Sequence, residues 1–117
     1  MTEKMKIIDF LRENQLDAIF VQKDENCRYL SKFTGSDSYL LLTKEELYLL
    51  TDSRYTEQAR KEVADYTVVD YKGHLAEIVA KLAGEYHIKT MGVETVFSYQ
   101  MYLSFHEYMP CLLYTSP

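Results

Sequence analysis

The sequence predicts an α/β fold in which helices cover both faces of a mixed β-sheet, giving a three-layer sandwich. Apolar segments of strand length alternate with amphipathic segments of helix length along the chain, as they do in folds that contain parallel strands. Two strand-like segments follow each other closely and add a hairpin, so the sheet is predicted to be mixed. The length of 117 residues, 47% of them hydrophobic, suits one domain with a single core.

The first helix is predicted from Thr2 to Asn14, because its apolar residues recur every three or four positions and Thr2 is a good N-cap residue. The segment Asp17–Val21 is rich in β-branched and aromatic residues, which favours a short buried strand. A second helix is predicted from Asp24 to Leu30, with Asp24 as its cap.

The hairpin is predicted from two apolar runs, Tyr39–Thr43 and Leu47–Thr51, that a short polar segment separates. Asp52 or Ser53 then caps a helix that runs to about Val63. The remaining elements follow from the same periodicities. They are a strand at Thr67–Asp70, a helix with Leu75, Ile78, Val79 and Leu82 on its core face, a strand at Thr90–Glu94, and a helix from its cap Ser98 to Tyr108.

Composition and charge exclude several classes of function. The chain has 13 basic and 18 acidic residues and a net charge of −5, so it lacks the basic field with which proteins bind a phosphate backbone. No apolar run is long enough to span a membrane. Two cysteines, Cys27 and Cys111, do not form a disulfide framework. The sequence therefore predicts a cytoplasmic protein with neither a nucleic-acid nor a membrane partner.

The last seven residues have the sequence expected of a translated transposase-end sequencing adapter, Cys111-Leu-Leu-Tyr-Thr-Ser-Pro117. We therefore predict a natural domain at residues 1–110, an adapter-derived, non-native tail at residues 111–117, and a native protein that continues past Pro110. The alternative interpretation is a short apolar C-terminal strand.

The common catalytic motifs are missing from the sequence. There is no phosphate-binding glycine loop and no serine nucleophile elbow. The histidines His74, His87 and His106 lack the spacing of metal ligands and are interpreted as structural. Cys27 has the environment of a small buried residue, although the adjacent Arg28 could lower its pKa. We therefore predict no catalytic residue and no metal ligand in this chain.

Three carboxylates support a competing hypothesis. Asp52, Asp70 and Glu94 each follow the end of a predicted strand, and such ends line the ligand crevice of an open α/β sheet. If they converged within about 5 Å, they could bind Mg²⁺ in a free-standing small-ligand-binding domain. The structural interpretation is that acidic residues follow strands because they cap helices and begin turns.

Two segments carry a family resemblance. Arg28–Ser36 reads RYLSKFTGS, and Thr51–Ala59 follows the apolar strand pair with TDSRYTEQA. These strings resemble the family patterns R-Y-L-T-G-F-T-G-S and T-D-G-R-Y-x-x-Q-A of the creatinase/prolidase N-terminal domain. Ser31, Lys32 and Ser53 depart from those patterns. A later segment, Met91-Gly-Val-Glu94, resembles another strand of the same domain, and the resemblance covers the chain from Met1 to about Met109.

The resemblance implies a creatinase N-terminal domain-like, ribonuclease H-like fold that precedes the catalytic domain of an Xaa-Pro aminopeptidase or dipeptidase. In that family the C-terminal domain is a metallopeptidase of the pita-bread fold that holds two divalent metals (Mn, Zn or Co) and cleaves peptides with proline at the second position. The N-terminal domain helps to form a homodimer. The chain is thus predicted to be inactive alone and to lack that catalytic domain.

The resemblance also implies that one loop reaches the active-site entrance of the neighbouring subunit. We predict that this loop, Phe33-Thr34-Gly35-Ser36-Asp37, contacts substrate. Gly35 permits a positive φ or a close backbone approach, and Asp37 could attract the α-amino group of a peptide. The alternative is an ordinary turn with Asp37 bonded to its own backbone. A third hypothesis is an interaction module that oligomerises through an exposed tyrosine-rich face.

Overall fold

The computed structural model describes residues 3–35 and 37–115. The predicted cap Thr2 and the predicted site residue Ser36 lie outside the described residues. The elements follow in the predicted order. They are α1 (Glu3–Glu13), β1 (Ala18–Val21), α2 (Asp24–Ser31), β2 (Tyr39–Thr43), β3 (Leu47–Thr51), a 3-10 turn (Ser53–Tyr55), α3 (Thr56–Glu62), β4 (Thr67–Asp70), α4 (Leu75–Glu85), β5 (Thr90–Val93), α5 (Tyr99–Tyr108) and β6 (Leu113–Thr115).

The six strands form one mixed sheet with the order β4-β3-β2-β1-β5-β6. Strand β2 runs antiparallel to its neighbours β1 and β3, which confirms the predicted hairpin. The outer pairs β3–β4, β1–β5 and β5–β6 are parallel. One end of the sheet therefore brings together the start of β2 and the carboxyl ends of β1, β3, β4 and β5.

Helices cover both faces of the sheet, as the sequence predicts. Leu40 and Leu42 face the layer formed by α1, α2 and α3, whereas Leu41 between them faces α4 and α5. This alternation follows from the two-residue period of a strand. Both faces are apolar, because each must be buried under a layer of helices. On α4, Val79 is fully buried, and Leu75, Ile78 and Leu82 are partly buried against the same cluster.

The N-terminus of α2 is capped differently from the prediction. Asp24 is the first residue of the helix rather than its cap, and the N-cap residue Lys23 makes no side-chain cap bond. Instead, the carboxylate of Glu94 accepts hydrogen bonds from the backbone N–H groups of Gln22 and Lys23. Asn26 donates to the same carboxylate through Nδ2. Glu94, which directly follows β5, thus holds the segment that leads into α2.

The C-terminal segment takes part in the sheet. Leu113–Thr115 form β6, which pairs with β5, and Leu112 is buried beside it. These residues belong to the seven that the sequence assigns to an adapter-derived tail. That assignment concerns the origin of the codons and stays a prediction.

None of the helices in the described part of the chain combines the length and the apolar composition that a membrane crossing requires.

Candidate functional site

The predicted substrate loop connects α2 to β2 at the end of the sheet where the other strands finish. Helix α2 ends at Ser31, and the φ of 66° at its C-cap residue Lys32 turns the chain away from the helix axis. Phe33 then enters the core, where it is fully buried. The hydroxyl of Ser31 accepts a hydrogen bond from the backbone N–H of Phe33. The start of the loop is therefore fixed by the core.

Gly35 is required for close packing rather than for an unusual φ. A Cβ at this position would lie 2.6 Å from Cε2 of Phe33, a separation that real Cβ atoms do not tolerate. Among the described glycines, the positive φ belongs to Gly73 and not to Gly35. Of the two roles that the sequence allowed for Gly35, the structure thus assigns the close approach.

Helix α3 holds the first half of the loop. The carboxylate of Glu62 accepts hydrogen bonds from the N–H and the hydroxyl of Thr34, both at 3.0 Å. Gln58 donates to Glu62 at 2.8 Å and to the Thr34 hydroxyl at 3.3 Å. These hydrogen bonds lower the pKa of Glu62. The bond from Gln58 has the largest effect, and the bond from the Thr34 N–H is next. The carboxylate therefore stays charged and keeps Thr34 against α3.

The second half of the loop is held from β4 and from the 3-10 turn. Asp37 has a φ of 55°, and its carbonyl accepts a hydrogen bond of 3.2 Å from the hydroxyl of Tyr71. Burial is the main cause that raises the pKa of Tyr71, which keeps this donor protonated. The Asp37 carboxylate lies 3.7 Å from Nη2 of Arg54, and 63% of its side chain is exposed. The loop thus presents an acidic group to solvent from a backbone fixed at both ends.

Arg54 is itself held by Asp52. The carboxylate of Asp52 accepts from the Arg54 backbone N–H at 2.9 Å, from Nε at 3.1 Å and from Nη2 at 3.5 Å. The backbone bond and then the guanidinium bond lower the pKa of Asp52. The guanidinium also lies over the ring of Tyr55, 5.3 Å from its centroid. Asp52 therefore caps the turn, as predicted, and orients an arginine as well.

The three carboxylates of the competing hypothesis do not converge. Asp52 and Asp70 end neighbouring strands, and Asp70 accepts bonds from the Ser53 hydroxyl and then from the Lys72 N–H, which lower its pKa. Glu94 follows β5, which is three strands from β3, a separation of about 14 Å. Residues 3–35 and 37–115 contain no group of three side chains that could hold a metal ion. The convergence that a magnesium site needs is thus contradicted.

Cys27 is a buried structural residue, which confirms the interpretation favoured from the sequence. Its thiol lies 3.6 Å from the carbonyl oxygen of Val21 and 3.5 Å from that of Ser38. Burial, reinforced by the charge of Glu94, raises the pKa of Cys27 to about 12. The neighbouring Arg28 does not offset this, so the residue is not a nucleophile at neutral pH.

The exposed tyrosines do not form one face. Tyr29 lies on α2, on one side of the sheet, while Tyr99 and Tyr108 lie on α5, on the other. The remaining eight tyrosines are buried or partly buried. The hypothesis of an interaction module with a tyrosine-rich face is therefore not supported.

Three anchors of the loop are not revealed by the sequence: Gln58, Glu62 and Tyr71. The sequence does contain a signal for Gln58, because this residue belongs to the second motif that carries the resemblance. Glu62 lies one helical turn after Gln58, and Tyr71 directly follows a strand, but neither position signals a contact with a loop more than 25 residues earlier.

Comparison with known proteins agrees with this architecture. The family model described as "Creatinase/Prolidase N-terminal domain" matches residues 5–113. The uncharacterized peptidase YqhT of Bacillus subtilis is 29% identical over 102 residues, which are 81% of this chain and 29% of that protein. This chain therefore spans less than a third of that relative.

Solved structures have the same fold. An Xaa-Pro dipeptidase from Bacillus anthracis superposes with a TM-score of 0.84 and 31% identity, over 97% of this chain and 34% of that one. The N-terminal domain of the cytoplasmic peptidase PepQ from Mycobacterium tuberculosis superposes with a TM-score of 0.84 and 26% identity, covering 97% of this chain and 92% of that one.

Proposed function

The chain belongs to the creatinase/prolidase N-terminal domain family, and on that premise we propose that it is the non-catalytic accessory domain of an Xaa-Pro peptidase. Its relatives include peptidases about three times as long, of which it matches one part. The catalytic residues belong to the part that this chain does not include. The substrate is a peptide with proline at its second position. The enzyme works in the cytoplasm, a location supported by its similarity to the cytoplasmic peptidase PepQ.

The metals belong to the catalytic domain in this proposal. Hydrolysis of this class needs a metal-activated water, which two divalent ions would supply. The described residues of this chain offer no cluster of three ligands for such an ion. The chain's own contribution is structural: it helps to form the homodimer and to shape the substrate entrance of the neighbouring subunit.

The loop from Phe33 to Asp37 is the part that we assign to the substrate entrance. The observation that carries this proposal is the exposed carboxylate of Asp37 on a loop fixed by Thr34 at one end and by the Asp37 carbonyl at the other. The hydrogen bonds at Thr34 and at the Asp37 carbonyl restrain the two residues that flank the tip, which lowers the entropic cost of placing a charge there. The charge is negative, which suits the free α-ammonium group of a peptide.

The test is a chimera in which this chain replaces the N-terminal domain of the Bacillus anthracis Xaa-Pro dipeptidase. We expect the chimera to hydrolyse Xaa-Pro peptides. Asp37→Asn should raise KM about two- to fivefold, as expected for an exposed ion pair, and leave kcat nearly unchanged. The matched control is Glu107→Gln, which also removes one negative charge, at an exposed site on α5, on the opposite face of the sheet from α2 and α3.

Equal KM values for Asp37→Asn and the unsubstituted chimera would reduce Asp37 to a turn residue. An unsubstituted chimera that folds but hydrolyses no Xaa-Pro peptide would contradict the accessory role itself. A KM increase of the same size in Glu107→Gln would show that net charge, rather than the loop, is responsible.

A further inference from the structure

Arg54 occupies a position that helix electrostatics do not favour. It lies in the first turn of the helical segment that continues from the 3-10 turn into α3. Backbone N–H groups point outward there, and they favour acidic rather than basic side chains. The side chain is 67% exposed, so burial does not account for its presence. A specific interaction must therefore compensate, and the surrounding groups show which one.

The guanidinium has two acidic neighbours with different roles. Asp52 engages two of its nitrogens, Nε at 3.1 Å and Nη2 at 3.5 Å, and Tyr55 lies under its plane. A planar guanidinium that two hydrogen bonds and an aromatic ring hold in place has a defined orientation. In that orientation Nη2, which donates to Asp52, also lies within ion-pair distance of Asp37, 3.7 Å from its Oδ2.

The ion pair with Arg54 is the contact that can orient the Asp37 side chain. The backbone of Asp37 is fixed by Tyr71, but the bond from Tyr71 reaches the carbonyl and leaves the carboxylate free to rotate. Within the described residues, Arg54 makes the one ion pair of this carboxylate. Loss of Arg54 would thus leave the acidic group present on the loop but without a fixed direction.

We propose that Arg54 is a positioning residue that orients the Asp37 carboxylate toward the substrate's α-ammonium group, with Asp52 and Tyr55 holding the guanidinium in place. This inference rests on the proposed function of the loop. Exposed ion pairs add little to stability, so the contribution of Arg54 is to geometry. A lysine would keep the charge but not the planar guanidinium, and it would orient Asp37 less well.

The test is a double-mutant cycle in the chimera with the Bacillus anthracis catalytic domain. We expect Arg54→Met to raise KM for a free Xaa-Pro dipeptide by the same two- to fivefold factor as Asp37→Asn, with kcat unchanged. The double variant should show no further increase, because both changes remove one interaction. Arg54→Lys should restore KM only in part. Arg60→Met, at an exposed arginine on α3, is the matched control and should leave KM unchanged.

The remaining outcomes contradict the inference, and they show whether the role of Arg54 or the role of Asp37 is wrong. If Asp37→Asn raises KM and Arg54→Met does not, or if the two effects multiply, Arg54 does not position Asp37 while the proposed function stands. If Asp37→Asn leaves KM unchanged, the proposed role of the loop carboxylate is wrong, and the inference about Arg54, which rests on it, is wrong as well. Should Arg54→Met prevent folding, Arg54→Gln offers a shorter, uncharged side chain that can still donate hydrogen bonds, and the same predictions apply to it.

Discussion

The backbone of Gly35 lies directly against the phenyl ring of Phe33, with no room for a side chain between them. This contact joins the exposed loop to the buried core, because Phe33 is only 1% exposed. The loop is therefore part of the packed structure at the end where Phe33 and Gly35 lie.

We predict that Gly35→Ala will lower the free energy of unfolding by about 1–3 kcal/mol, because the new methyl group overlaps the Phe33 ring and one of them must move. The measurement is urea unfolding followed by circular dichroism. Gly84→Ala is the matched control, since a Cβ there meets nothing within 4 Å and alanine favours the helix. A Gly35→Ala variant as stable as the Gly84→Ala variant would show that the loop adapts without cost.

Glu94 should contribute to stability rather than to metal binding. Its carboxylate accepts from the N–H groups of Gln22 and Lys23 at the start of α2. Glu94→Ala leaves these donors without their partner, and we expect a loss of about 1–3 kcal/mol in the free energy of unfolding. Glu107→Ala, at an exposed site on α5, should change it by less than about 0.5 kcal/mol.

Magnesium titration separates the two interpretations of Glu94. If Glu94 acts as a cap, 10-fold changes in Mg²⁺ concentration will leave the midpoint of thermal unfolding unchanged in the wild type. A midpoint that rises with Mg²⁺ in the wild type and not in Glu94→Ala would revive the cation-binding hypothesis.

The lowered pKa of Asp17 leads us to expect that part of the free energy of unfolding is lost in acid. Burial opposes its ionisation, but hydrogen bonds from the N–H groups of Lys89 and Thr90 outweigh this effect and lower its pKa. The native state then binds a proton less readily than the unfolded chain does. The stabilisation is complete above the ordinary pKa, near 4, and is lost as the pH falls through the lower native pKa.

The corresponding measurement is urea unfolding between pH 7 and pH 3. Asp17→Asn should be less stable than the wild type at neutral pH, and the difference should begin to shrink as the pH falls below about 4, because the wild-type carboxylate then takes up protons. Asp9→Asn, at an exposed position on α1, is the matched control for the change from aspartate to asparagine. A difference for Asp17→Asn that stays constant over this range would exclude the carboxylate charge as its cause.

The sequence predicts the fold well because the strong signals are local. The apolar runs at Tyr39–Thr43 and Leu47–Thr51 must be buried on both faces, and the short polar segment between them allows only a hairpin. The predicted cap of α2 is wrong because the helix begins one residue earlier, with Lys23 at the N-cap position and Asp24 as its first residue. The Glu94 carboxylate, about 70 residues away, holds the segment before the helix, and the sequence does not signal that contact.

The candidate site was predictable in part. Its residues from Phe33 to Asp37 follow from the resemblance, and the structure places the described ones on one anchored loop. The partners that hold them come from α3 and from the segment after β4, and only the tertiary structure brings those elements together. The place of Arg54 in a first helical turn predicts a specific carboxylate partner, and the residue has two, Asp52 and Asp37.

Peptide hydrolysis by the separate chain is the most direct test of the central claim that this is an accessory domain. The purified chain is incubated with an Xaa-Pro dipeptide and Mn²⁺, in parallel with the chimera that carries a catalytic domain. We predict turnover by the chimera and none by the chain above a control without protein, because the described residues offer no metal cluster for a hydrolytic water. Reproducible cleavage by the chain alone, abolished by a chelator, would contradict the accessory role.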